Sequence, residues 1–173
     1  MSETIQKQSY KQTEVGLIPK DWSVDLLENL TDVIDPHPSH RAPAEKNFGV
    51  PFLGIGDFNE RGDIISRSQR IVGDNVFSEH QKRYDLNENL IGLGRVASIG
   101  KVVSLRNDIG EYTISPTLGV IRSKSIDVNY LKYILKSIYI KNYFTKIMSG
   151  STRSSVGMIV LRKIPIPFPT LTE

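Results

Sequence analysis

Proline at every second position near the end of the chain restricts what that segment can form. In Ile164-Pro-Ile-Pro-Phe-Pro169, each proline fixes φ and removes a backbone donor. Such a segment is excluded from helices and from the interior of a sheet. We therefore predict an extended edge segment, a proline-rich strap, with Ile164, Ile166 and Phe168 on one side.

A small, polar and cationic stretch stands shortly before this strap. Gly150-Ser-Thr-Arg153 has the composition of a loop that touches phosphate. Arginine can bind guanine through two hydrogen bonds, and serine or threonine can hold phosphate oxygens. We predict that Gly150, Ser151, Thr152 and Arg153 contact nucleic acid.

The composition is that of one globular domain. The chain has 173 residues, of which 39% are hydrophobic and 24% charged, with a net charge of +3. It has no cysteine, which excludes disulfides and cysteine-ligated metals. His37 and His40 lie close together, but in a proline-rich loop with no evident third ligand, so we expect no metal site. The first residues do not form a secretory signal, and no apolar run could span a bilayer; we expect a cytoplasmic protein without membrane contact.

Many short β-type runs are followed by one long helical pattern, which favours the α+β class. Leu131, Ile134, Leu135 and Ile138 recur at spacings of three and four after Asp127, a good N-cap. We predict one long helix over residues 128–148. The expected fold is a single domain over residues 15–173, after a flexible tail of residues 1–14. It combines a twisted, mainly antiparallel sheet of short strands, that helix, and the strap as the exit from the domain.

Two glycine motifs permit an enzyme hypothesis. Phe52-Leu-Gly-Ile-Gly56 has the FxGxG pattern with which methyltransferases hold S-adenosylmethionine, and Gly92-Leu-Gly-Arg-Val-Ala97 fits a dinucleotide fingerprint. Both sites require a helix after the glycines. A polar turn follows the first motif and a β-branched run follows the second, so we favour a strand end and a hairpin turn. We expect no cofactor and keep a small S-adenosylmethionine-dependent enzyme as an alternative.

Catalytic chemistry has little support in the remaining residues. A nuclease needs clustered carboxylates that hold a metal beside the scissile phosphate, and the acidic residues here are scattered through turns. The histidines have no recognisable nucleophile partner. We therefore expect no catalytic residues.

Cationic side chains are concentrated in or beside predicted turns, where loops at one end of a sheet can line a groove together. Besides residues 150–153, we predict the following residues as DNA contacts: Arg41, Arg67, Arg70, Arg95, Ser98 and Lys101.

An ordered series of motifs from residue 15 to 173 resembles one target recognition domain of the specificity subunit of type I restriction–modification enzymes. The series comprises Gly16-Leu-Ile-Pro-Lys-Asp-Trp22, Val50-Pro-Phe-Leu-Gly-Ile-Gly-Asp57, Leu86 to Val103 with Ser98-Ile-Gly-Lys101, Ile114-Ser-Pro-Thr-Leu-Gly-Val-Ile121, Tyr130-Leu-Lys-Tyr-Ile-Leu-Lys-Ser137, Gly150-Ser-Thr-Arg153 and Ile164-Pro-Ile-Pro-Phe-Pro169. Each motif is weak alone, and their order and spacing are specific together.

The resemblance implies a non-catalytic reader of one half of a bipartite duplex DNA target. It also implies a DNA methyltransferase subunit and a motor-nuclease subunit as partners in the full complex, which methylates and cleaves DNA. Only one recognition domain is expected here, without a spacer helix. A second alternative is a protein-interaction module that uses the helix and the strap and does not bind DNA.

Overall fold

The structure, a computed structural model, describes residues 9–37, 39, 41–149 and 155–170. Its strands are β1 (Tyr10–Thr13), β2 (Gly16–Pro19), β3 (Trp22–Leu26), β4 (Thr31–Ile34), β5 (Val50–Leu53), β6 (Arg70–Val72), β7 (Leu90–Gly94), β8 (Val102–Leu105), β9 (Thr113–Ile114), β10 (Leu118–Ser123) and β11 (Pro165–Pro169). Its helices are α1 (Leu27–Leu30), α2 (Asp74–Gln81), α3 (Val128–Lys136), α4 (Ile138–Met148) and α5 (Met158–Arg162), with a 3-10 turn at Ile55–Asp57. None of these helices is long and apolar enough to cross a membrane.

A four-stranded antiparallel sheet in the order β4-β10-β7-β8 lies at the centre. Successive side chains along a strand point to opposite sides of the sheet, and here both sides are buried. Ile91 and Leu93 pack with the helices and β11, whereas Leu90 packs with residues around the 3-10 turn. The sheet is therefore the middle layer between two hydrophobic clusters.

The remaining strands form three small sheets. β5 pairs with β6 antiparallel and with β9 parallel, β1 pairs with β2, and β11 pairs with β3. All described pairings except β5–β9 are antiparallel, so the α+β class with mainly antiparallel short strands is confirmed. Ordered structure begins earlier than residue 15, because Tyr10–Thr13 form β1; residues 1–8 lie outside the described part.

The proline strap forms the edge strand that its sequence predicts. β11 pairs with β3 alone, from Pro165 opposite Leu26 to Pro169 opposite Trp22. Ile166 is fully buried and Phe168 is partly buried, packed against the same cluster. Three prolines are tolerated because this strand needs partners on one side only.

The single long helix predicted for residues 128–148 is wrong: two helices, α3 and α4, meet at Ser137, whose ψ of 164° is not helical. Leu131 and Ile140 are both fully buried. Nine residues apart, they would point in opposite directions on one continuous helix. The break turns Ile140 towards the core and leaves Ile138 63% exposed, although the spacing pattern assigns Ile138 to the buried face.

Candidate nucleic-acid interface

The tip of the β7–β8 hairpin is a fixed loop. Gly94 N donates to Lys101 O over 2.8 Å, and Gly100 N donates to Gly94 O over 2.9 Å. Gly100 has φ +80°, and a Cβ there would lie 3.1 Å from the ring of Phe144. Backbone bonds and glycine together hold the loop, with Ser98 exposed near its tip.

Lys101 points inward from this hairpin. Its Nζ donates to Phe58 O over 2.6 Å and to Ile55 O over 3.1 Å. A buried carbonyl without a donor is costly, so this ammonium group stabilises the 3-10 turn. Most of its hydrogen-bonding capacity is used within the protein.

Arg95 likewise joins two segments of the chain. Its Nε donates to Val156 O over 3.0 Å, and its Nη1 lies 3.8 Å from Asp35 Oδ2. The backbone adds a bond from Val156 N to Arg95 O over 2.7 Å and a bridge between Val96 and Ser155. The side chain is 17% exposed, so its main contacts are with the protein.

A cleft of about 950 Å³ separates the hairpin tip from α3 and α4. We call it the hairpin cleft; it is lined by Glu60, Ser98, Ile99, Gly100, Lys101, Val102, Lys136, Lys141, Phe144, Thr145, Met148 and Ser149. One of its lysines, Lys136, pairs with Glu60 over 3.3 Å. The cleft combines three ammonium groups with one carboxylate and a partly apolar floor.

The predicted contact residues Gly150, Ser151, Thr152 and Arg153 lie outside the described residues. The nearest described residues are Ser149 before them and Ser155 after them. Ser149 lines the hairpin cleft, and Ser155 forms the bridge to Val96 in the hairpin. Both ends of this stretch therefore lie beside the loop that carries Ser98.

Three other predicted contacts are exposed. Arg41 lies in the loop before β5, Arg67 lies in the loop before β6, and Arg70 is the first residue of β6. Arg70 Nη1 donates to Pro43 O over 2.9 Å, which ties the loop before β5 to β6. Within the described residues, the guanidinium groups of Arg41 and Arg67 have no hydrogen bond or ion pair. Among the predicted arginines that the structure describes, these two have a guanidinium group that is available to a ligand.

One loop joins these two cationic areas. Residues 58–69 begin beside the hairpin cleft, where Glu60 is part of the lining, and end next to Arg70. Arg61 and Arg67 are exposed along the way. We call this surface the basic track: the hairpin cleft, the 58–69 loop and the loop before β5.

Other cations, in loops and in strands, are neutralised by neighbouring carboxylates. Arg106 pairs with Asp63 over 2.9 Å and with Asp108 over 2.7 Å. Arg122 pairs with Asp32 over 2.9 Å, and its guanidinium lowers the pKa of that carboxyl group. Charge counted along the sequence therefore overstates the cationic surface that is free to bind an anion.

A chain of hydrogen bonds supports the loop that carries Arg41. His37 Nε2 lies 2.9 Å from Arg41 O, which can only accept, so this nitrogen is the donor. In a neutral chain, His80 Nε2 then donates to His37 Nδ1 over 2.9 Å, and Thr113 Oγ1 donates to His80 Nδ1 over 3.1 Å. Burial lowers the pKa of His80 to about 4, and His37 adds to the shift.

The histidine pair could not be found in the sequence. His37 and His80 are 43 residues apart, and neither belongs to a motif. His80 lies on α2, which packs on β9, and His37 packs edge-on against Phe52 of β5, the strand that pairs with β9.

The two glycine motifs have local structural roles. Gly54 and Gly56 lead into the 3-10 turn, where Gly54 N donates to Asp57 Oδ2 over 2.6 Å. A Cβ on Gly54 would lie 3.0 Å from Thr117 Oγ1, so close packing on the β9–β10 turn accounts for this glycine. Gly92 and Gly94 lie in β7, where hairpin strand β8 follows in place of a helix. In the described chain no three His, Asp or Glu side chains are grouped to hold a metal.

Comparisons with known proteins agree on one family. A sequence model of the family described as "Type I restriction modification DNA specificity domain" matches residues 19–173. The MjaIX and MjaVIII type I restriction enzyme specificity subunits of Methanocaldococcus jannaschii are 27% and 28% identical over 170 residues, or 95% of this chain. The chain spans 38% and 40% of their lengths.

A solved structure shares the fold. The crystal structure of the HsdS subunit from Thermoanaerobacter tengcongensis superposes with a TM-score of 0.54 at 17% sequence identity, over 88% of this chain and 34% of that one. Since the family match covers nearly the whole sequence, this chain belongs to the type I restriction–modification DNA specificity domain family.

Proposed function

We propose that this chain recognises one half of a bipartite duplex DNA target by sequence and has no catalytic activity of its own. The observation that carries the proposal is the match of residues 19–173 to a family of DNA specificity domains. The basic track supports it, because exposed arginines on neighbouring loops, beside the lysines of the hairpin cleft, suit a phosphate backbone.

The predicted contacts divide into two roles. Arg41 and Arg67 have no charge partner among the described residues, and Ser98 is exposed on the hairpin; we assign these side chains to DNA. Arg95 and Lys101 donate to backbone carbonyls of the protein; we assign them to holding the surface in shape. Gly150–Arg153 remain proposed contacts, because their flanking residues adjoin the same hairpin.

The proposal extends to the assembly. Relatives that carry the specificity-subunit name are more than twice as long as this chain. We propose that recognition by this domain directs methylation by a DNA methyltransferase subunit and cleavage by a motor-nuclease subunit. The complex would act in the cytoplasm.

Selection from a random duplex pool tests the proposal directly. The purified chain is incubated with the pool at low salt, and bound DNA is sequenced. We expect one short motif to be enriched, and its affinity to fall steeply as salt increases, because phosphate contacts release counterions. Recovery of no preferred sequence would contradict sequence-specific recognition.

A further inference from the structure

Phe48 is an aromatic side chain in contact with almost nothing. It is 89% exposed, more than the other large hydrophobic residues exposed on the described chain. Leaving an aromatic ring in water forgoes one of the larger contributions that a side chain makes to folding. Such a residue gains that contribution only when a partner covers it.

The loop that presents Phe48 is held in place by its backbone. Lys46 N donates to Ile71 O over 3.0 Å, two residues before the ring. Directly after it, Gly49 has φ +138°, and a Cβ there would lie 2.0 Å from Val72 O. Only glycine fits such a close approach, so the chain turns sharply at Phe48 and is anchored on β6.

The charges around the ring indicate which partner it meets. Arg41 and Lys46 lie on the same loop, and Arg70 is bonded to that loop through Pro43 O. Glu45 is the one acidic residue among residues 41–49. A ring within a mainly cationic setting suits a partner that combines negative charge with flat apolar faces, and that combination belongs to nucleic-acid bases on their phosphate backbone.

We propose that Phe48 is a base-stacking wedge: its ring inserts against a base step of the bound duplex, while Arg41 and Arg67 contact nearby phosphates. Inserted apolar side chains partly unstack the step and kink the duplex. The inference rests on the proposed DNA-binding function and specifies how one loop engages the DNA.

The test uses a duplex with the motif enriched in the pool selection, substituted in turn at each position by the fluorescent base 2-aminopurine. Unstacking increases the fluorescence of this base, so the wild-type chain should give a rise confined to one step. Phe48→Ala should abolish the rise and weaken binding about tenfold to a hundredfold, the range that loss of one stacking contact gives. Phe48→Tyr should retain both.

Matched variants separate the possible outcomes. Tyr133→Ala removes another exposed aromatic ring, 76% exposed on α3, and should change neither fluorescence nor affinity. Unchanged binding and fluorescence with Phe48→Ala would overturn the wedge while leaving DNA recognition intact. If Phe48→Ala weakened binding to a methyltransferase subunit but left DNA binding unchanged, the ring would be a protein contact, and this result would also overturn the wedge. A wild-type chain that binds no duplex would overturn the proposed function, and the wedge with it.

Discussion

At the residue scale, hydrogen-bond partners distinguish arginines and lysines that support the fold from those that can bind a ligand. Arg95 and Lys101 donate to carbonyls of the chain, and Arg106 and Arg122 pair with carboxylates. Arg67 has none of these contacts within the described residues. A sequence shows that these residues are cationic, but it does not show how each charge is used.

Removing one free cation should weaken DNA binding in a sequence-independent way. We expect Arg67→Ala to lower affinity for specific and random duplexes alike, and to reduce the slope of log affinity against log salt by about one. Lys20→Ala serves as the control, because Lys20 is exposed on the β2–β3 turn and is not one of the residues that define the basic track. Binding titrations at four salt concentrations measure the slope; equal slopes for wild type and Arg67→Ala would remove Arg67 from the interface.

The buried histidine should make folding stability depend on pH. His80 has a pKa of about 4 in the folded protein against an ordinary 6.5. Below pH 6.5 the unfolded chain binds a proton that the folded protein does not, so the free energy of unfolding falls as pH decreases from 6.5 to 4. The full loss is about 3 kcal/mol.

Urea denaturation between pH 7 and 4 measures this dependence. The His80→Gln variant has no group titrating at that position, so its free energy of unfolding should fall less over the same range. Carboxylates contribute equally to the pH dependence of both proteins. If the two curves of unfolding free energy against pH are parallel, His80 is not the cause of the loss.

At the element scale, the edge strand β11 and the glycine turn at the hairpin tip show how backbone geometry constrains the sequence. The hairpin tip needs a residue that adopts positive φ beneath an aromatic ring. The strap needs a buried apolar face and hydrogen-bonds to a neighbouring strand on one side only. In both places, the backbone geometry limits which residues are accepted.

A methyl group at Gly100 should destabilise the hairpin. Gly100→Ala places a side chain at φ +80° and 3.1 Å from the Phe144 ring, and we expect a loss of about 2–3 kcal/mol. Gly110→Ala separates the two effects, because φ there is +100° but nothing lies within 4 Å of the added Cβ. That control should lose about 1 kcal/mol; equal losses in denaturation would show that the ring contact contributes nothing.

The strap should stabilise the domain through its buried isoleucines. Ile166→Ala removes a fully buried side chain and should cost about 2–4 kcal/mol. Ile159→Ala makes the same truncation at a site that is 68% exposed, where we expect almost no change. Chemical denaturation measures the loss for each variant, and a loss for Ile166→Ala no larger than that of the exposed control would show that this part of the strap does not stabilise the domain.

At the scale of the whole molecule, the central sheet couples the two hydrophobic clusters. β7, β8 and β10 each contribute side chains to both clusters. Because both clusters share these strands, loss of packing in one cluster should also disrupt the other. The candidate interface depends on the same arrangement, because the hairpin that carries Ser98 is built from β7 and β8.

Unfolding should accordingly be a single cooperative transition. Trp22 fluorescence reports the region of β3, and far-UV circular dichroism reports the whole backbone; the two should give the same midpoint in urea. Leu90→Ala and Ile91→Ala, on opposite faces of β7, should each shift both midpoints together. Separate midpoints would show that the two layers unfold independently.

The sequence alone determined the features that depend on neighbouring residues. Alternating prolines require an edge strand, the β-branched run after Gly94 favours a hairpin over a cofactor helix, and the mixture of short strands and helices indicates the α+β class. The order of motifs was sufficient to indicate the family. These signals are local, because φ restriction, missing donors and side-chain periodicity act over a few residues.

Only the tertiary structure decided the features that depend on distant partners. It broke the predicted helix at Ser137, since Leu131 and Ile140 both had to face one core. It joined His37 to His80, assigned Arg95 and Lys101 to backbone carbonyls, and left Phe48 uncovered. Burial and hydrogen-bond pairing arise between residues far apart in the chain, so the spacing of residues along the sequence contains no record of them.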